Sequence, residues 1–406
     1  MNKYGINNVN KGITEDGCNW LYECDPYKEW DRGYSAYEHI FAKYRGIHEE
    51  FPDYSEQRKT EIVEELFEIY RGVNIFPIAY YSQYGVEKAI QQLYNNQVYY
   101  DGKVLQNKSN VGLKLCKWTH PIQHQITRND KDPCMIDKFY DDVILKKAIK
   151  GSITTNKSAD PAHILNFLTL IGSTATNFKP LSAQAIVERY TPFNGVVFDS
   201  SQGIGGRILG TLTSQKNLTY TGVDPWKETN ICNAKLGQYC EEVLGRRNSF
   251  KLFCTGSEKA RFGQEFADFS FTSPPYFSLE NYSDDITQCY NMFPELNRWF
   301  RGFVGPTIKN TYDVLKPGAF YCVNIADFNF EGKVVNYVNT WKSLAQQVGF
   351  EYIRTSRMLL TSRIGAGVSN SKRDVETTKS EPILVFRKPL DMNNFANNVR
   401  GVDVDY

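Results

Sequence analysis

From residue 162 onward, short apolar runs alternate with longer stretches of helical periodicity, and few folds accommodate that pattern. Strands are predicted at Gly195–Phe198 (GVVF), Thr219–Val223 (TYTGV), Ser249–Phe253 (SFKLF), Ala267–Phe271 (ADFSF), Ala319–Ile325 (AFYCVNI) and Ile383–Phe386 (ILVF). Helices are predicted at Leu181–Tyr190, Thr229–Leu244, Arg298–Leu315 and Lys333–Val348. Such alternation implies an α/β fold built on a doubly wound sheet with helices on both faces. Ligands bind such sheets beyond the carboxyl ends of the strands, so chemistry-bearing residues should follow the strands directly.

Residues 1–165 read differently, as a separate, mostly helical or irregular N-terminal region. Its clearest helix runs near Glu56–Arg71, with Asp53 and Glu56 as a capping box, Ile62, Leu66 and Ile69 as the apolar stripe, and Gly72 as the stop. A second helix follows Gly85 through Val86, Ile90 and Leu93. The stretch KGSITTNKSADP, residues 150–161, has the composition of a linker. The chain thus divides into 1–165, an α/β domain over 166–390 and a C-terminal tail over 391–406.

Hydrophobic residues at 41% and aromatics at 14% exclude a largely disordered chain. No apolar run reaches the roughly 18 residues of a membrane span, and the first ten residues lack the apolar core of a secretory signal, so no membrane association is expected. The net charge of +1 excludes a uniformly basic polyanion binder. Basic residues nevertheless outnumber acidic ones by four in both 101–150 and 351–390, where any nucleic-acid face should lie. Nine cysteines without a Cys-x-x-Cys pair argue for reduced thiols and a cytoplasmic location, that of a host if the gene is viral. All five histidines fall in the first 163 residues, so a general base in the α/β domain is not histidine and no metal site is expected. His120 and His124 have helical ligand spacing but no third histidine nearby, and read as surface or packing residues.

After the first strand comes Asp199-Ser-Ser-Gln-Gly-Ile-Gly-Gly206. Gly203 and Gly205 permit a tight turn and close backbone approach to a ligand, although similar turns also close α/β units that bind nothing. Asp224 ends the second strand, placed to accept hydrogen bonds from ribose hydroxyls, and Trp226 offers a flat face for adenine. Together they point to an adenosine-containing cofactor. Ser257, past the third strand, is a candidate for the adenine edge. After the fourth strand comes Thr272-Ser273-Pro274-Pro275-Tyr276-Phe277. Two prolines fix the backbone extended and remove two donors, which holds the Pro274 carbonyl out as a free acceptor. With the Ser273 hydroxyl and the Tyr276 ring, it suits the amino group of a planar base.

This arrangement resembles the S-adenosylmethionine-dependent DNA amino-methyltransferases, which form adenine-N6 or cytosine-N4 methyl products. The family's cofactor turn is Asp-Pro-Phe-x-Gly-x-Gly. Asp199, Gly203 and Gly205 match it, while Ser200 and Ser201 replace Pro and Phe. Asn177-Phe178-Lys179-Pro180 resembles the motif that precedes the turn and contacts the methionine part, and Ser380–Lys388 resembles the last strand. The likeness covers about 175–390. It implies a Rossmann-like class I methyltransferase sheet and S-adenosyl-L-methionine as cofactor, bound by Phe178, Asp199, Ser201, Gly203, Gly205, Asp224, Trp226 and Ser257. Catalysis falls to Ser273, Pro274, Pro275 and Tyr276, with Phe277 on the substrate side and DNA as the partner.

Only about 67 residues separate Gly206 from Ser273, too few for an inserted recognition domain. Sequence recognition then falls to residues 1–165 or to loops after Tyr276. One is the basic, glycine-rich stretch 361–374, where Arg363, Lys372 and Arg373 are candidate phosphate contacts. Another is the acidic 280–285, read as a lid or a substrate-orienting loop rather than a phosphate contact. Adenine and cytosine remain open, as do a restriction partner and the oligomeric state. An RNA or protein-glutamine amide substrate, and a non-catalytic DNA-binding subunit, are the alternatives.

Overall fold

The computed structural model describes Tyr37, Tyr44 and residues 46–74, 76–77, 81–128, 133–156, 158–171, 175–360 and 379–390. Its strands are β1 (Val104–Gln106), β2 (Thr127–Arg128), β3 (Val196–Asp199), β4 (Thr219–Val223), β5 (Phe250–Phe253), β6 (Ala267–Thr272), β7 (Glu280–Asn281), β8 (Leu315–Asn324), β9 (Phe328–Phe330), β10 (Lys333–Val335), β11 (Glu351–Leu359) and β12 (Ser380–Arg387). Eight helices position the site: α1 (Glu56–Val73), α2 (Gln83–Asn95), α3 (Leu113–Thr119), α4 (Pro180–Tyr190), α5 (Gly206–Leu212), α6 (Lys227–Leu244), α7 (Gly305–Val314) and α8 (Tyr337–Val348).

The main sheet has the order β1-β11-β12-β8-β6-β3-β4-β5. Strands β5, β4, β3, β6 and β8 are parallel, and β12 runs antiparallel to β8 and β11. Without β1 this is the seven-stranded order of a class I methyltransferase sheet, with its single reversed strand. Strand side chains alternate between two cores, as a two-residue period requires. Tyr321, Val323, Leu384 and Phe386 enter the core of Trp299, Ile308 and Trp341. Cys322, Ile383 and Val385 enter that of Ile186 and Val187 on α4. From β3 the chain winds through β4 and β5 to one side, then through β6 and β8 to the other. The crevice of this fold opens at that divergence, beyond the ends of β3 and β6.

Packing does not divide at residue 165. Helices α2 and α3 share a core with α5, α6, β4 and β5, through Leu93, Leu115, Leu209 and Tyr220 among others. Strand β1 extends the main sheet beside β11, and β2 pairs with β7 just past the Ser-Pro-Pro-Tyr motif. A second cluster, centred on Leu66, Tyr70, Phe139 and Ile149, is built from residues of 37–76 and 133–171. Residues 81–128 are therefore part of the α/β unit's architecture.

Several local expectations shift. Helix α1 is capped by Ser55, whose hydroxyl accepts from the Arg58 amide at 3.2 Å, rather than by the Asp53–Glu56 box. It runs past Gly72 and stops at Asn74, whose φ of 48° tolerates a short polar side chain. The linker-like stretch 150–161 is packed, with Ile153 and Ala159 buried. The helix expected from Lys333 starts at Tyr337, because residues 328–335 form the β9–β10 hairpin around Glu331 and Gly332, both at positive φ. No helix among the described residues is long and apolar enough to cross a membrane. The tail over 391–406 lies outside the described residues.

Candidate active site

The turn after β3 is assembled around a buried charge. Asp199 is fully buried and accepts hydrogen bonds from the Arg207 guanidinium at 2.7 Å, the Tyr220 hydroxyl at 2.9 Å and the Ser201 amide at 3.1 Å. Arg207, in the first turn of α5, also donates to the Ser201 carbonyl. Burial opposes the guanidinium's charge, but Asp199 beside it outweighs that penalty and raises its pKa. The acceptors of Asp199 are thus engaged inside the protein, and its part in any cofactor contact is indirect.

Gly203 and Gly205 both take positive φ, 57° and 90°, where L side chains are disfavoured. The Gly203 amide donates to Asp224 at 3.2 Å, and the Gly203 carbonyl accepts from the Asn233 amide group at 2.8 Å. Gly206 has a separate reason to be glycine. A methyl group there would lie 1.9 Å from the Phe178 carbonyl oxygen, so the segment before α4 runs directly against the turn. Asn177 reinforces that approach by donating to the Ile204 carbonyl at 2.7 Å. The Phe178 ring is half-buried and edge-on to Phe271.

Asp224 also accepts from the Trp226 amide at 3.0 Å. Asp224 is half-buried, and desolvation raises its pKa to about 6. Trp226 is only 6% exposed. It packs with Ile122, Ile126 and Cys232, and its ring lies 6.3 Å from that of Tyr282. Sequence reasoning gave Trp226 a platform role but missed its cover, which comes from residues 122–126 and from the loop after the Ser-Pro-Pro-Tyr motif. Ser257, expected at the adenine edge, is buried with its hydroxyl 2.8 Å from that of Thr307, so it already has an internal partner. Four buried polar atoms near the turn, Asn177 Oδ1, Ser200 Oγ, Gln202 Oε1 and Thr229 Oγ1, have no partner among the described residues. Unsatisfied groups of this kind call for a partner, which ordered water or a polar ligand can supply.

The Ser273–Tyr276 corner follows β6, the strand hydrogen-bonded to β3, so its residues stand one strand away from the Asp199 turn. Neither the Ser273 hydroxyl nor the Pro274 carbonyl makes a hydrogen bond among the described residues. The Pro275 carbonyl accepts from the Tyr337 hydroxyl at 3.2 Å. Tyr276 is held at its far end, where its oxygen accepts from the Ala326 amide at 3.1 Å. Phe328 and Tyr337 meet its ring edge-on, at 6.0 and 5.8 Å. Phe277, expected on the substrate side, is instead a core residue, 2% exposed and edge-on to Trp299 and Phe330. Its φ of 53° is costly for a bulky side chain and turns the chain sharply after Tyr276.

The loop beyond is tied to itself. The Tyr290 oxygen accepts from the amides of Tyr282 and Ser283, at 2.9 and 3.0 Å. Tyr282 packs against both the Trp226 cluster and the core that carries Phe277. Tyr282, Tyr337 and Asn233 were not anticipated. The legible signal for Asn233 was a polar residue three positions after Asn230 on the buried face of α6. His120 and His124 are buried, in keeping with a packing role. Among the described residues no cluster of His, Cys, Asp or Glu could hold a metal. Arg363, Lys372 and Arg373 lie outside the described residues.

No family model and no curated protein matches the sequence. Among solved structures, the chain is similar to a methyltransferase from Pyrococcus furiosus at 13% identity, over 52% of this chain and 83% of that one, with a TM-score of 0.33. It is similar to the 1,6-didemethyltoxoflavin-N1-methyltransferase of Burkholderia thailandensis at 10% identity, over 52% and 78% of the chains, with a TM-score of 0.32. A Thermus thermophilus protein provisionally assigned as a DNA modification methylase shares 16% identity over 33% of this chain and 51% of its own, with a TM-score of 0.24.

Proposed function

We propose that this chain is a DNA methyltransferase that moves a methyl group from S-adenosylmethionine to the exocyclic amino nitrogen of a flipped base, adenine-N6 or cytosine-N4. The observation that carries the reading is the corner at the end of β6. Its two acceptors, Ser273 Oγ and the Pro274 carbonyl, are unpaired among the described residues, beside a ring clamped at its rim.

The polar groups beside the glycine turn, the Asp224 carboxyl and the unpartnered atoms of Ser200 and Gln202, suit the polar groups of an adenosyl methionine. Asp224 would accept from the ribose hydroxyls, with Trp226 and Ile122 forming apolar wall for the adenine. When bound, the cofactor supplies an electrophilic methyl on a positively charged sulfur. Ser273 and the Pro274 carbonyl would accept the two amino protons and so aim the nitrogen lone pair. Tyr276 would hold the base plane by stacking, worth ~1–3 kcal/mol, which offsets part of the cost of extruding the base. As the amino nitrogen takes the methyl in place of the sulfur, Ser273 and the Pro274 carbonyl would hold the surplus amino proton until it passes to solvent. No strong base is required, since positioning does the work.

The test is incubation with methyl-labelled S-adenosylmethionine and, separately, duplex DNA, RNA and protein, followed by nucleoside mass spectrometry. Label in N6-methyladenine or N4-methylcytosine of DNA is expected and decides between the two bases. Label confined to RNA or to a glutamine amide would replace DNA as the substrate.

A further inference from the structure

We infer that His120 is a positioning residue for the glycine turn, acting through Asn233. His120 Nε2 lies 2.9 Å from Asn233 Oδ1, and Asn233 Nδ2 lies 2.8 Å from the Gly203 carbonyl. All three residues belong to different elements: the end of α3, the face of α6 and the turn after β3. The relay therefore ties residues 113–120 to the turn, and it deepens the proposed function only in that this turn is the one assigned to the cofactor.

Proton bookkeeping orients the whole relay. A backbone carbonyl only accepts, so the Asn233 amide must present its NH₂ to Gly203 and its oxygen to His120. His120 Nε2 must then carry the hydrogen. Complete burial holds the imidazole pKa down at about 4, so the ring is neutral and has one proton to place. The bare Nδ1 lies 2.9 Å from the Thr119 hydroxyl, whose one hydrogen is shared between it and the Leu115 and Cys116 carbonyls at 3.0 and 3.2 Å. It has no hydrogen to give the Cys116 carbonyl 3.2 Å away. His120 also touches the turn directly. A methyl group on Gly205 would lie 2.6 Å from the ring's Cε1, so the imidazole occupies the space that a side chain at 205 would need. One residue thus packs against Gly205 and steers the donor that fixes Gly203.

Because the relay needs a donor at the Nε2 position, glutamine and asparagine replacements separate steering from packing. The glutamine NH₂ reaches about where Nε2 stands, while that of asparagine falls short. The experiment compares wild type with His120→Gln, His120→Asn and Asn233→Ala by hydrogen exchange over residues 200–206, with calorimetric titration of S-adenosylhomocysteine in parallel. Asparagine at 120 and alanine at 233 are expected to speed exchange in the turn about tenfold, the cost of one lost hydrogen bond of average strength. Both should weaken S-adenosylhomocysteine by a similar factor, and glutamine at 120 should stay within about threefold of wild type on both readouts. Equal behaviour of the asparagine and glutamine variants, or turn exchange unchanged in Asn233→Ala, would overturn the relay. If the wild-type protein binds no S-adenosylhomocysteine, the cofactor assignment fails, and the exchange data alone still decide the relay.

Discussion

The two halves of the site are held rigid by opposite means. The turn at 199–206 is a polar assembly in which Asp199, Arg207, Tyr220, Asn233 and Asp224 each contribute hydrogen bonds, and glycines supply the conformations that bring them together. The corner at 273–277 receives two hydrogen bonds from distant residues, from Ala326 and Tyr337, and takes its stiffness from two prolines and a frame of aromatic rings. A polar frame consumes the acceptors it is made of, as Asp199 illustrates. A frame of prolines and rings leaves acceptors open, and the Ser273 hydroxyl and Pro274 carbonyl are the ones it leaves. The lesson is that Asp199, which matches the resembled cofactor turn, has its acceptors taken up by the architecture, while the acceptors left open stand beside two prolines that cannot donate.

Four substitutions or conditions break or sharpen this contrast. The largest effect is expected from Arg207→Met, which leaves the Asp199 carboxylate buried without its countercharge. Losing one partner of a buried pair costs about 3–5 kcal/mol, read from urea unfolding, and a loss under about 1 kcal/mol would show that the turn does not depend on this pair. Tyr276→Ala should lower turnover about a hundredfold, near the upper end of aromatic–base stacking, with cofactor affinity unchanged by calorimetry. Loss of cofactor binding in that variant would mean the halves are not independent.

A smaller effect follows from acidity. Asp224 must be ionised to accept from hydroxyls at full strength, and its pKa of about 6 lies within reach of ordinary buffers. Lowering the pH from about 7 to 5 should weaken cofactor binding about tenfold, a dependence that Asp224→Asn removes while binding weakly throughout. The sign for stability is the reverse of a paired carboxylate. The native state holds this proton more tightly than the unfolded chain, so this group's contribution is present below the unfolded value of 3.8 and lost as pH rises through about 6. The smallest change is expected from Tyr337→Phe. Removing its hydroxyl costs the Pro275 carbonyl one hydrogen bond, about 1 kcal/mol, and should reduce turnover a few-fold without touching cofactor affinity.

Strands β3, β4, β6, β8 and β12 were readable because each carries a largely buried apolar run, and β4 was located to the residue, whereas β11, with the polar and half-exposed sequence EYIRTSRML, was missed. The strand-end positions of Asp199, Gly203, Asp224 and Ser273–Tyr276 were readable because glycine, proline and acidic residues at strand ends are local signals. What escaped was non-local. Strands β1 and β2, of three and two residues, carry too little periodicity to register, yet they bind 81–128 to the α/β unit. The core position of Phe277 follows from a positive φ, and no residue preference marks that conformation for phenylalanine. The cover over Trp226 needs Ile122 and Tyr282, 160 residues apart, to meet on one ring.

The most direct test of a shared cleft is photo-cross-linking of methyl-labelled S-adenosylmethionine followed by peptide mapping. Label on the peptides spanning 199–207 and 273–277 is expected, since the proposed function puts both at the sulfonium centre. Label on neither, with the cofactor demonstrably bound, would contradict the placement of the reacting methyl between the glycine turn and the Pro-Pro corner.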